Sequence, residues 1–158
     1  MSYPGPERRR GGPDRRANDE RIRILLVDDH ALVRLGMRAI LEREPDFDIV
    51  GEADDGRSAH DVALETDPTI ILMDLSLPAP GGIEATQRIK RDLPATGIII
   101  LAPDEDEEAL FQAIRAGAAA FILKDVGPDD LVTIIRRVAT GEFLINDKVF
   151  AKPAVASR

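Results

Sequence analysis

Residues 22–29, IRILLVDD, run from a short apolar stretch straight into a pair of acids. Four further stretches of the same kind follow at Asp48–Ala53, Thr69–Met73, Gly97–Leu101 and Ala118–Leu123, each rich in Ile, Leu or Val. Strands read this way when they are buried on both faces, as in a parallel sheet covered by helices. Between them lie helix patterns. Val33, Gly36, Met37, Ile40 and Leu41 fall on one stripe that ends before Pro45. Leu131, Ile134, Ile135 and Val138 form another, opened by Pro128 with Asp129 and Asp130 and stopped at Gly141. Ser58–Glu65, Ile83–Asp92 and Asp106–Ala116 are helix-compatible, with the acidic run Asp104–Glu108 capping and charging the start of the last of these. Five βα units in succession predict an α/β fold, a doubly wound five-stranded parallel sheet with helices on both faces. Five strands favour the order 2-1-3-4-5.

The folded part spans 21–142. Ahead of it, residues 1–20 combine Pro, Gly and Arg with little to bury and read as a disordered tail; after it, 143–158 resembles an interdomain linker. The whole chain carries −8. The tail's five Arg against four acids give +1, which leaves −9 on the remainder and argues against nucleic-acid binding by the folded part. At 44% apolar residues a packed core is expected, and no apolar run reaches bilayer length. The chain has no cysteine, which excludes disulfides and thiolate metal sites and fits a cytoplasmic setting.

In a doubly wound sheet the working crevice lies at the carboxyl ends of the strands. Asp28 and Asp29 follow the first run, Asp74 the third and Lys124 the fifth. Three carboxylates converging at one edge repel, so the site requires a cation. Hard oxygen donors, with neither His nor Cys counted among the ligands, favour Mg2+ over zinc, and Lys124 would meet the oxygens of a phosphoryl group. His30, next to the acid pair, reads as an exposed or neighbouring imidazole rather than a ligand, and His60 as a surface helix residue.

The segments LLVDDH (25–30), ILMDLSLPAPGGIEAT (71–86) and AGAAAFILKD (116–125) resemble, in order and spacing, those of response-regulator receiver domains, in particular the NarL/FixJ branch that usually carries a LuxR-type helix-turn-helix. The resemblance covers about residues 22–143 and implies a flavodoxin/CheY-like fold. It implies Asp74 as the acceptor of phosphate from a sensor histidine kinase. Asp29, Asp74 and the backbone carbonyl of Ser76 would ligate Mg2+, with Asp28 acting through a metal-bound water and Lys124 contacting the phosphoryl group. Pro78 and Gly82 match the loop after the acceptor. By the same likeness the chain is a switch rather than an enzyme, assisting its own phosphorylation and dephosphorylation. It would control transcription through a DNA-binding domain outside this chain, without contacting a membrane. Homodimers would form through the first and fifth helices, or through the fourth helix, fifth strand and fifth helix.

One position departs from the family pattern. Receivers usually place Thr or Ser just after the fourth strand, where this chain has Ala102 followed by Pro103. The twenty-two positions from Ala102 to Lys124 suit the family spacing, and Thr96 lies on the wrong side of the strand to substitute. The aromatic switch position is filled by Phe121, which reads equally as a core aromatic. A receiver with atypical readout is therefore expected, and the alternative is a pseudo-receiver acting as an interaction module without phosphorylation. A haloacid-dehalogenase-like phosphatase would need D-x-D-x-T where Asp28-Asp29-His30-Ala31-Leu32 stands, and an FMN carrier would need a hydroxyl-rich loop there.

Overall fold

Strand β1 (Ile22–Val27) pairs in parallel with β2 (Phe47–Ala53) on one side and β3 (Ile70–Asp74) on the other. Beyond β3 lie β4 (Gly97–Ala102) and β5 (Ala120–Leu123), so the sheet order is β2-β1-β3-β4-β5, the predicted 2-1-3-4-5. Each strand is followed by one helix: α1 (Ala31–Leu41), α2 (Gly56–Thr66), α3 (Gly82–Asp92), α4 (Glu107–Ala116) and α5 (Pro128–Ala139). This computed structural model describes residues 21–144; the expected tail 1–20 and residues 145–158 of the linker-like segment lie outside the described residues.

Alternation along the strands divides the core in two. Leu25, Val27, Ile71, Met73, Ile98, Ile100, Ala102 and Phe121 face α2, α3 and α4, while Ile24, Leu26, Ile70, Leu72, Ile99, Leu101 and Ile122 face α1 and α5. Ile71, Ile99 and Phe121 are wholly buried. At about 25 cal/mol per Å2 of apolar surface, each such side chain contributes roughly 1.5–3 kcal/mol, which is why unbroken Ile/Leu runs select this arrangement.

Several ends differ from the apolar runs. Asp74 and Ala102 are the last residues of their strands rather than the first beyond them, because pairing continues through Asp74 with Leu101 and Ala102 with Leu123. β5 begins at Ala120, since the Ala118 amide is engaged with the Ala113 carbonyl in closing α4. The helix caps follow their expected chemistry: the Asp106 side chain accepts from the Ala109 amide at 3.1 Å, and Gly141 takes the left-handed φ of 101° after α5. Leu144 pairs with Ala120 and is buried against the α1/α5 side of the core, while Phe143 is exposed.

Helix α1 departs most from its expected stripe. Met37 and Leu41 are buried and Ile40 packs against them, but Val33 and Gly36 are exposed, as are Leu32 and Leu35. The first turns of α1 stand beside the carboxyl edge of the sheet, where Arg34 rather than an apolar side chain turns inward. At the other end of the domain Arg136 ties α5 to the α1–β2 connection. It pairs with Glu44 at 2.9 Å and Asp46 at 2.7 Å and lies over the Phe47 ring, and its hydrogen bond holds the Asp46 carboxyl below the usual range.

Candidate functional site

The residues at the carboxyl edge are held by the ladder itself. The Asp28 amide donates to the Ala53 carbonyl (3.1 Å), that of Leu75 to Leu101 (2.9 Å) and that of Lys124 to Ala102 (2.8 Å). Asp28, Asp74 and Lys124 therefore sit within one residue of the last sheet bonds on three strands, and their side chains meet. Lys124 Nζ lies 3.1 Å from Asp28 Oδ2 and 3.2 Å from Asp74 Oδ1. Both acids are completely buried. Asp29 and His30 complete the group, and one ligand atom from each of Asp28, Asp29, His30 and Asp74 falls within 4.8 Å of all the others.

Three carboxylates against one ammonium leave a formal charge of −2, the charge a divalent cation would cancel. Burial works against the charge of Lys124. Contact with Asp28 and the neighbouring charge of Asp74 outweigh it, so the lysine titrates above its usual value. Asp74 Oδ1 accepts from the Ser76 amide at 3.0 Å, which folds the following turn back over the acid. Asp74 Oδ2 is buried with no hydrogen-bond partner. A buried anionic oxygen left unsatisfied is costly, and an oxygen-preferring divalent cation is the group that fits it. The three carboxylates fit Mg2+, and the group has no thiolate; the His30 imidazole stands beside them.

Ala102 lies at the same edge between Asp74 and Lys124, fully buried, with its side chain in the α2/α3/α4 half of the core. Phe121, three residues before Lys124, is buried in the same half. Thr96 is at the opposite end of β4 and donates to the Pro68 carbonyl (3.0 Å), so it stands away from the pocket. His60 pairs with Asp92 at 2.7 Å across α2 and α3.

Arg34 escaped the sequence reading, and His30 and Gly82 have contacts that it did not give. Arg34 donates to the backbone carbonyl of Asp28 and pairs with Glu52 at 2.9 Å, anchoring the acidic turn from α1. Its place one turn after His30 was the only cue. His30 points its ring at the acids, with Nδ1 3.2 Å from Asp28 Oδ1 and 3.0 Å from Asp29 Oδ1. Gly82 begins α3 against the backbone of Asp74; a Cβ there would lie 2.4 Å from the Asp74 carbonyl oxygen.

An open parallel sheet with acids and a lysine gathered at its carboxyl edge defines a doubly wound α/β protein with an acidic site at the strand ends. Residues 24–136 match the response regulator receiver domain family, and the chain belongs to that family. Its relatives are NarL/LuxR-type response regulators. It is 42% identical over 135 residues to the transcriptional regulatory protein YxjL of Bacillus subtilis, covering 85% of this chain and 62% of YxjL. To LiaR of the same organism it is 40% identical, covering 83% of this chain and 62% of LiaR. The chain thus spans about 62% of the length of these relatives. A LuxR-family response regulator from Aurantimonas superposes with a TM-score of 0.77 at 37% identity, covering 85% of this chain and 99% of that one. The receiver domain of NarL from Mycobacterium tuberculosis gives 0.74 at 29%, covering 77% and 98%.

Proposed function

We propose that the chain is a phospho-acceptor switch in which Asp74 takes a phosphoryl group from the phosphohistidine of a sensor kinase. The observation that carries this is Asp74 Oδ2, a buried carboxylate oxygen with no partner, beside an ammonium and two further acids. A carboxylate is ionised at neutral pH and attacks without a general base. The P–N bond of the donor breaks as the O–P bond forms, and the electron pair returns to the imidazole. Asp29, Asp74 and the Ser76 carbonyl would hold Mg2+ directly and Asp28 through a water; when bound, the ion supplies positive charge against the phosphoryl oxygens. Lys124, already between Asp28 and Asp74, turns to those oxygens. The domain assists its own phosphorylation and dephosphorylation without turning over a separate substrate.

By analogy with relatives named as transcriptional regulators, the phosphoryl state would govern a LuxR-type DNA-binding domain beyond this chain, in the cytoplasm. Dimers would form through the α1–α5 or α4–β5–α5 faces. Among the described residues no helix is long and apolar enough to cross a membrane. Incubation with Mg2+ and acetyl phosphate should add one phosphoryl mass to the wild type and none to Asp74→Ala. An unmodified wild type would instead support the pseudo-receiver reading, which Ala102 favours.

Ala102 would weaken the readout, because no hydroxyl meets the phosphoryl oxygen at the end of β4. A hydrogen bond to a charged group is worth about 1.5–3 kcal/mol. Ala102→Thr is therefore expected to raise the activated population, or the phosphoryl lifetime, by roughly 10- to 100-fold, read by the decay of the phosphorylated form. Ala102→Ser supplies the same hydroxyl with less added volume at this buried position. No change in either variant would show that readout bypasses this position.

A further inference from the structure

We infer that His30 gives the acidic pocket an imidazole ligand, which raises its affinity for borderline first-row divalent ions of the Co2+, Ni2+ and Zn2+ class relative to Mg2+. This rests on the reading of the pocket as a cation site and deepens it. The ring nitrogen Nδ1 lies 3.0 Å from Asp29 Oδ1 and 3.2 Å from Asp28 Oδ1. Ligand atoms about 2.1 Å from one ion and on adjacent octahedral corners are about 3 Å apart, so Nδ1 and the Asp29 oxygen already have the spacing of neighbouring ligands, while Asp28 Oδ1 stands beside them. The 4.8 Å spread of the four-residue group approaches the ~4.2 Å span of opposite corners at the same bond length. Independently, the buried, unpartnered Asp74 Oδ2 marks the group as a cation site rather than a chance cluster of acids.

The backbone holds the ring there. The His30 amide donates to Asp28 Oδ1 at 2.8 Å, and His30 stands in extended conformation as the residue that opens α1. The side chain remains 65% exposed, so the ring can move the short distance to an incoming ion without disturbing the core. Ligation needs Nδ1 unprotonated, with the ring proton on Nε2. An imidazole contributes little to Mg2+, which prefers oxygen, and much more to the later first-row ions. The other histidine, His60, pairs with Asp92 across α2 and α3 and is the internal control.

The test is calorimetric titration of the full chain with MgCl2 and, separately, CoCl2, for the wild type, His30→Gln, His60→Gln and Asp74→Asn. NMR of the Co2+-loaded protein would accompany it. His30→Gln should lower the ratio of Co2+ to Mg2+ affinity by about tenfold or more, while His60→Gln leaves it unchanged. A hyperfine-shifted exchangeable imidazole proton should be present in the wild type and His60→Gln and absent from His30→Gln. An unchanged ratio in His30→Gln, or an equal loss of both ions, overturns the inference, the second outcome assigning His30 a purely structural part. Failure of the underlying reading looks different: neither ion binds the wild type, or Asp74→Asn binds both as the wild type does, and the inference then falls with it.

Discussion

Lys124→Ala is expected to destabilise the metal-free domain by about 2–3 kcal/mol. Removing one partner of a buried ion pair costs roughly 3–5 kcal/mol, because the charge left behind is uncompensated. Here two buried acids, Asp28 and Asp74, lose their shared ammonium, while Lys124 itself keeps 26% of its side chain in water, which lowers the figure. Added Mg2+ should then raise the melting temperature of the variant by more than it raises that of the wild type, since the ion replaces the missing charge. The pH dependence has a definite sign. The lysine titrates above its ordinary 10.5, so its stabilisation is complete below that value and lost as pH climbs through the raised one. Urea titrations should show a constant gap between wild type and variant from neutral pH up to about pH 10 that narrows beyond it. A gap absent at neutral pH would mean that the acids are neutralised by something other than Lys124.

Gly82→Ala should be at least as costly, although it adds a single methyl group. That methyl would stand 2.4 Å from the Asp74 carbonyl oxygen and 3.1 Å from the Leu75 Cα, and both obstacles are backbone. Overpacking costs typically 1–3 kcal/mol where side chains can give way. Here the strand end or the start of α3 must move, so the upper part of that range is expected, about 3 kcal/mol. Because the displaced backbone carries Asp74, Mg2+ affinity should fall along with thermal stability. A variant that melts lower but binds Mg2+ unchanged would show that α3 yields and the acid stays in place.

Much of this was readable from residue order. Runs such as Ile70–Met73 and Ile98–Leu101 are apolar at every position, and only a strand covered on both faces buries them all. The acids were legible for the same reason: a charge directly after such a run stands at the strand's end, where the crevice of a doubly wound sheet lies. Helix α1 was less legible. Its pattern placed Val33 and Gly36 on the core side, but periodicity records only which residues share a face, and the first turns of α1 lie alongside a polar edge rather than over the sheet. Arg34 and His30 gave no periodic cue, since their roles rest on partners up to eighteen positions away.

Residue order alone therefore carried the element sequence, the parallel sheet and the places of Asp28, Asp29, Asp74 and Lys124, which follow from local hydrophobic patterning and from which residues close each strand. The expectation of an absent hydroxyl at Ala102 came instead from the likeness to receiver domains. Distance decided the rest: the lysine set between two buried acids, the oxygen of Asp74 left without a partner, the imidazole turned to the acids, and the glycine against which the Asp74 backbone rests. Apart from the imidazole, which meets its own chain neighbours, these contacts join residues from different strands and helices, and only the closed packing of the sheet and its helices sets how far apart they stand.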